Sequence, residues 1–192
     1  MDEKTIGFAF CGSYCTFDKA METLEKVHAQ YRDVYPIVSE RVAATDTRYG
    51  AAHDFMREMQ RICDKRVIDT IKAAEPIGPR GLLDVMVICP CTGNTLARLA
   101  SGITDSSVTM AAKAHLRNER PLVIAISTND GLSGCARNLA TLLDKKHVYF
   151  VPFRQDDPVK KPRSLVADFS LVPATIEAAL RGQQLQPLLL GP

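Results

Sequence analysis

Four groups of short polar residues stand at the ends of apolar runs in this chain of 192 residues. Thr92, Gly93, Asn94 and Thr95 follow LLDVMVICPC, Gly12, Ser13 and Thr16 follow TIGFAF, Ser39 follows DVYPIV, and Ser127 and Asn129 lie at the end of PLVIAIS. None of these side chains is an acid or a base near neutrality, so their chemistry is hydrogen bonding to a ligand. A glycine with hydroxyls at a helix N-terminus suits a phosphate, because backbone approaches closely and N–H groups point outward. The Gly12 loop lacks the spaced glycines of a dinucleotide fingerprint and the Gly-Lys-Ser/Thr of a P-loop. A tight turn with a helix cap accounts for the same residues without any ligand, and Thr92 or Asn94 suits the cap of a helix starting near Thr95.

Other constellations carry less chemistry. Cys89 and Cys91 could share a metal, but a tetrahedral site needs about four ligands and no histidine or second cysteine pair has suitable spacing, so no metal site is assigned. His28, His53, His115 and His147 have no Ser or Asp partner pattern nearby, and none is assigned to catalysis. GLSGC contains Ser133 without the Gly-x-Ser-x-Gly elbow of a hydrolase. Lys160, Lys161 and Arg163 form a basic run that reads as a solvated face, or as an attractant for an anionic substrate.

The elements that must position these residues alternate between strand and helix patterns, which predicts a parallel sheet covered on both faces. Strands are predicted at 5–10, 33–38, 67–71 (weak), 83–89, 121–127 and 148–151, and helices at 18–30, 51–65, 95–100, 106–117, 135–144 and 174–181. In such sheets ligands bind beyond the carboxyl ends of the strands, where the polar groups stand. Residues 152–173 read as an irregular loop, longer than most connections in compact domains, and a short C-terminal tail ends the chain.

Composition narrows the partners. The 24 basic and 22 acidic residues give a net charge of +2 and are interspersed, so no global field points to nucleic acid or a membrane surface. No window reaches the roughly 18 apolar residues of a membrane span, and the start MDEKTIGFAF lacks a signal-peptide pattern. The expectation is one domain over 1–192, in the cytoplasm, with its six cysteines reduced.

The segment PCTGNTLARLASGITD resembles the homo-oligomeric flavin-containing Cys decarboxylase family of flavoproteins. The likeness rests on Pro90, Asn94–Thr95, Leu96, Ala97, Arg98, Ala100, Gly102, Ile103 and Asp105, with GSYCTF resembling that family's first phosphate loop. It implies a flavodoxin-like, Rossmann-type, doubly wound three-layer αβα fold. It also implies FMN, with Gly12, Ser13 and Thr16 near the phosphate, Ser39 beside the ribityl chain, and Thr92, Gly93, Asn94 and Thr95 lining the ring, Ser127 adjoining. Trimers or dodecamers are the assemblies it implies.

Two departures argue against peptidyl-cysteine decarboxylation. The family's active-site histidine aligns with Pro76, which cannot shuttle a proton, and its Pro-x-Met-Asn clamp aligns with Ile126, Ser127, Thr128 and Asn129, keeping only the asparagine. Over PIGPRGLLDVMVICPCTGNTLARLASGITD and YFVPFRQDDPVKKPRSLVADF the likeness is to flavoprotein-like subunits of a two-subunit oxidoreductase of spore-forming bacteria. That narrower likeness implies a small cyclic dicarboxylate substrate and a separate partner subunit carrying NAD(P). Asn94 and Asn129 are the residues expected to orient substrate or flavin. The rivals are an assembly subunit without flavin and an FMN-dependent decarboxylase of a small acid.

Overall fold

The computed structural model describes residues 2–191. Strand β1 (Asp2–Cys11) leads through a 3-10 turn (Tyr14–Thr16) into helix α1 (Phe17–Gln30). Phe17, Ala20, Thr23, Leu24 and Val27 of α1 are buried, the spacing of one helical face. β2 (Tyr31–Val38) follows, then α2 (Glu40–Ala44), α3 (Ala52–Cys63) and α4 (Ile71–Ala74). β3 (Val85–Cys91) is buried at every residue, as a strand covered on both faces must be. α5 (Gly93–Ser101), α6 (Ser107–Leu116), β4 (Leu122–Thr128), α7 (Ala136–Leu143) and β5 (Val148–Phe150) continue the alternation.

The strand order is β2-β1-β3-β4-β7-β6, with β5 also on β4. β1, β2, β3, β4 and β5 pair in parallel. The chain winds outward from β1 to β2, then crosses back to β3 on the other side, so the direction of winding switches between β1 and β3. A crevice opens at the carboxyl ends there. α1, α3 and α8 pack on one face, and α4, α5, α6 and α7 on the other. The expected flavodoxin-like α/β fold is thus present.

Two expectations are corrected. The strand predicted at 67–71 is a single parallel bridge between Ile37 and Ile68, and Ile71 already starts α4 because Thr70 caps it, its side chain accepting from Ala73 N at 3.2 Å. The segment predicted as an irregular loop at 152–173 is an antiparallel hairpin, β6 (Phe153–Asp157) and β7 (Lys161–Ala167), followed by a 3-10 turn (Phe169–Leu171) and α8 (Val172–Leu180). The sheet is therefore mixed. β5 pairs with the first half of β4, at Leu122–Ile124, and β7 takes the same edge further on, at Ser127 and Thr128. A short turn can join only antiparallel neighbours, which sets the hairpin's direction.

Aromatic packing anchors the end of β1. Phe10 meets Phe17 edge-on at 5.5 Å, and Phe17 meets Phe55 of α3 at 5.2 Å. The Gly12 turn is held between a strand and two helices by these rings. Among the described residues no helix is long and apolar enough to cross a membrane.

Candidate flavin crevice

The loops after β1, β3 and β4 meet. Gly12 and Ser13 take left-handed conformations in succession, with φ of 78° and 58°, and turn the chain across the end of β3. A Cβ added at Gly12 would stand 3.1 Å from Thr92 Cγ2, so the first and second of these loops touch. Ser13 Oγ and Ser127 Oγ share a hydrogen bond of 2.7 Å, which joins the third. Gly93 is required by crowding: a Cβ there would lie 2.7 Å from Asp130 Oδ1, Cys135 Sγ and Thr128 Oγ1.

The helix ends at this crevice differ in how they are closed. Thr92 caps α5, its hydroxyl accepting from Thr95 N at 3.3 Å and donating to Thr95 Oγ1 at 3.2 Å. Ser39 caps α2, accepting from Val42 N at 3.3 Å. Neither the 3-10 turn nor α1 has a side-chain cap, and Thr16 Oγ1 instead donates to Ser13 O at 2.8 Å. The start of α1 is thus open to an external acceptor, which is where an anion gains most from the helix dipole.

A cavity of about 940 Å³ holds most of the residues singled out in the sequence: Ser13, Thr16, Thr92, Gly93, Asn94, Ser127 and Asn129 all line it. Gly12, Ser39 and Thr95 are not among its walls. Asn94 and Asn129 are exposed, and no partner holds either side chain among the described residues. The uncapped start of α1, the backbone cradle at Gly12 and the small hydroxyls fit a phosphate and an acceptor-rich ring. Residues 13, 16, 92–94, 127 and 129 are those that could hold FMN.

The sequence reading missed the far wall. Arg154, Ser164 and Asp168 of the hairpin region, with Lys19, Thr23 and Lys26 of α1, complete the cavity. The α1 residues follow one helical face, a signal present in the sequence once the helix is placed. Of the basic run, only Lys161 lines the cavity, and it is bound to Asp156 Oδ2 at 2.6 Å. Pro76 lies in a 3-10 turn and lines a separate cavity of about 790 Å³ with Tyr35 and Ile68, sharing no wall with the crevice.

Beneath the crevice sit four buried thiols. Cys11 and Cys91 are register partners on β1 and β3, and Cys11 Sγ donates to Pro90 O at 3.2 Å. Hydrogen bonding from Cys91, against the opposing effect of burial, brings Cys11 down to about 7, with Thr95 and Thr92 assisting. Cys91 is driven up by that same bond and by burial, Cys89 by burial first, and Cys135 also by burial. All six cysteines are free thiols. Of the histidines, His115 is buried with Nε2 2.9 Å from Pro121 O, and burial lowers its pKa to about 4. His53 is exposed beside Asp54 and Arg57, and neither histidine lines the crevice.

A switch-point crevice with an open helix start and small hydroxyls defines a flavoprotein-type site, and the chain belongs to the Flavoprotein family, whose model matches residues 1–155. More particularly, it is 46% identical over 187 residues to the B subunit of dipicolinate synthase from Bacillus subtilis strain 168, covering 97% of this chain and 94% of that one. The crystal structure of the dipicolinate synthase B subunit from Bacillus halodurans C superposes with a TM-score of 0.90 at 43% identity, over 98% of this chain and 96% of that chain. The FMN-dependent cysteine decarboxylase SpaF shares the fold, with a TM-score of 0.66 at 19% identity over 93% of this chain and 97% of that chain.

Proposed function

We propose that this chain is the flavoprotein subunit of a dipicolinate synthase, that it holds FMN in the crevice, and that it works with the other, A-type polypeptide of dipicolinate synthase in the mother-cell cytoplasm of a sporulating bacterium. The substrate in this reading is a 4-hydroxy-tetrahydrodipicolinate, which loses water and two electrons to become the aromatic pyridine dicarboxylate. NAD(P) sits on the partner polypeptide, and the protein assembles as a homo-oligomer, a trimer or dodecamer. The observation that carries the reading is the junction of three loops at the switch point, Gly12–Ser13 against Thr92 and Ser127. The name of the 46% identical relative supplies the reaction and the partner.

Bound FMN would supply hydride relay between substrate and nicotinamide. The chain's own residues do the rest. Ser13 and the start of α1 receive the phosphate, while Ser127 fixes Ser13. Gly93 lets the β3 loop lie flat against Thr128 and Asp130. Asn94 and Asn129, free to turn, donate and accept hydrogen bonds on ring or substrate. No residue of the crevice is assigned as an acid or base. The 152–173 region, ordered as a hairpin, closes the side of the cavity remote from β1.

Denaturing the purified protein and identifying what is released tests the cofactor: FMN is expected, NAD or FAD alone contradicts it, and nothing released with no uptake of added FMN favours the assembly-only role. In the reconstituted two-subunit enzyme, Asn94→Ala is expected to lower dipicolinate formation about tenfold, the scale of one lost hydrogen bond. Full activity in a folded variant removes Asn94 from the site. Carbon dioxide released from a cysteinyl peptide would overturn the oxidoreductase reading in favour of a decarboxylase.

A further inference from the structure

The charges around the crevice are unequally engaged. Thr128 Oγ1 donates to Asp130 Oδ1 at 2.5 Å, and Asp156 is bound to Lys161. Asp168 Oδ1 accepts from Ser170 N at 3.1 Å and from Ser170 Oγ at 2.6 Å. Arg154 has only a long contact, 3.9 Å from its Nη2 to Asp168 Oδ2, beyond hydrogen-bonding distance, with its side chain 47% exposed. Lys19 faces the same cavity from the first turns of α1, and Glu22, one turn on, lies between Lys19 and Lys26 and offsets one of those two cations. Three of the four wall carboxylates thus have close partners, while Arg154 keeps its donors for a ligand.

Strand register puts Arg154 in line with the loop junction. Arg154 is opposite Val166, and Val166 is opposite Ser127. Antiparallel partners project from the same face of a sheet, and neighbouring strands lie about 4.8 Å apart, so Arg154 stands about 10 Å from Ser127 along one row. Ser127 is itself tied to Ser13. A small ring lying over Val166 would therefore reach the loop junction at one end and a guanidinium at the other.

We infer that Arg154, with Lys19 across the cavity, is the specificity determinant that selects a small dicarboxylate in this crevice. The inference rests on the proposed reading for its substrate, and adds the residues that recognise it. Arginine matches a carboxylate through two parallel N–H bonds, which a lysine at the same place does not reproduce. Lys160 and Arg163, the basic residues most evident in the sequence, lie on the same hairpin but outside the cavity wall.

Calorimetric titration with pyridine-2,6-dicarboxylate and with pyridine-2-carboxylate tests this, on the wild type and on Arg154→Ala, Arg154→Lys and Lys160→Ala, each with and without FMN. The wild type is expected to prefer the dicarboxylate by about tenfold or more, and Arg154→Ala to bring the ratio to within about twofold. Arg154→Lys should fall between them and Lys160→Ala should match the wild type. An unchanged ratio in Arg154→Ala overturns the inference, as does a wild type that binds neither acid at millimolar concentration. Loss of FMN uptake in Arg154→Ala with the dicarboxylate preference intact also overturns it, by making the flavin phosphate the anion held there. A dicarboxylate preference that depends on Arg154 in protein that takes up no FMN leaves the inference standing and removes the flavin from the proposed function.

Discussion

The two halves of β4 are neighbours on one strand, yet they do opposite work. Along Leu122–Ile124 the strand is buried, β5 pairs with it in parallel, and the polar groups nearby are closed by protein partners. His115 meets Pro121 O, Arg120 bonds Gly81 O at 2.8 Å and also Leu83 O, and Thr5 N donates to Asp84 Oδ2 at 2.9 Å. At Ser127 and Thr128 the partner is the antiparallel β7, the next residue Asn129 is exposed, and the polar groups open onto a cavity. The difference teaches where to look: polar groups closed by protein hold the fold, and polar groups left open face a ligand.

The closed half should give the largest effect on stability. His115 is 1% exposed and its pKa is lowered from 6.5 to about 4 by burial. The unfolded chain therefore takes up a proton near pH 6.5 that the folded chain refuses until about pH 4. The stability present above pH 6.5 is lost as pH falls toward the folded value, by up to about 3 kcal/mol. Urea unfolding across that range should show the loss, and His115→Gln should flatten it. An equally steep profile in the variant would place the acid sensitivity elsewhere.

At the open half, Gly93→Ala should cost about 2 kcal/mol, because its Cβ has no space between Thr128, Asp130 and Cys135. Removing the α5 cap with Thr92→Ala should cost about 1 kcal/mol in the same assay. Asn94→Ala should change stability by less than about 0.5 kcal/mol, since its side chain is exposed. A large loss there would show that Asn94 holds the fold, and would break the contrast between the two halves.

The parallel part of the fold and its loops were legible because buried strands write continuous apolar runs and β3 is apolar almost throughout. The hairpin was not. Its strands carry the burial patterns of an exposed edge, with only Phe153, Ser164, Leu165 and Ala167 buried, and Pro162 lies inside β7. A proline and an exposed edge read as loop from the sequence. Arg154 was overlooked for the same reason, since its position over the crevice depends on pairing through Val166 to Ser127, which no local pattern encodes. Ser39 shows the opposite limit: a serine after a strand reads equally as a ligand contact and as a cap, and here its side chain caps α2.

The account turns on whether FMN occupies the crevice at the Gly12 turn, and a spectral titration of FMN into wild type and Gly12→Val tests that most directly. Gly12 has φ of 78° and sits 3.1 Å, as a built Cβ, from Thr92, so valine there should distort the cradle, and thermal unfolding run beside the titration shows whether the variant remains folded. The account predicts saturation of the wild type near one FMN per chain and a folded Gly12→Val that binds it at least about tenfold more weakly. No perturbation of the flavin spectrum by the wild type, or equal binding by the folded variant, would contradict it.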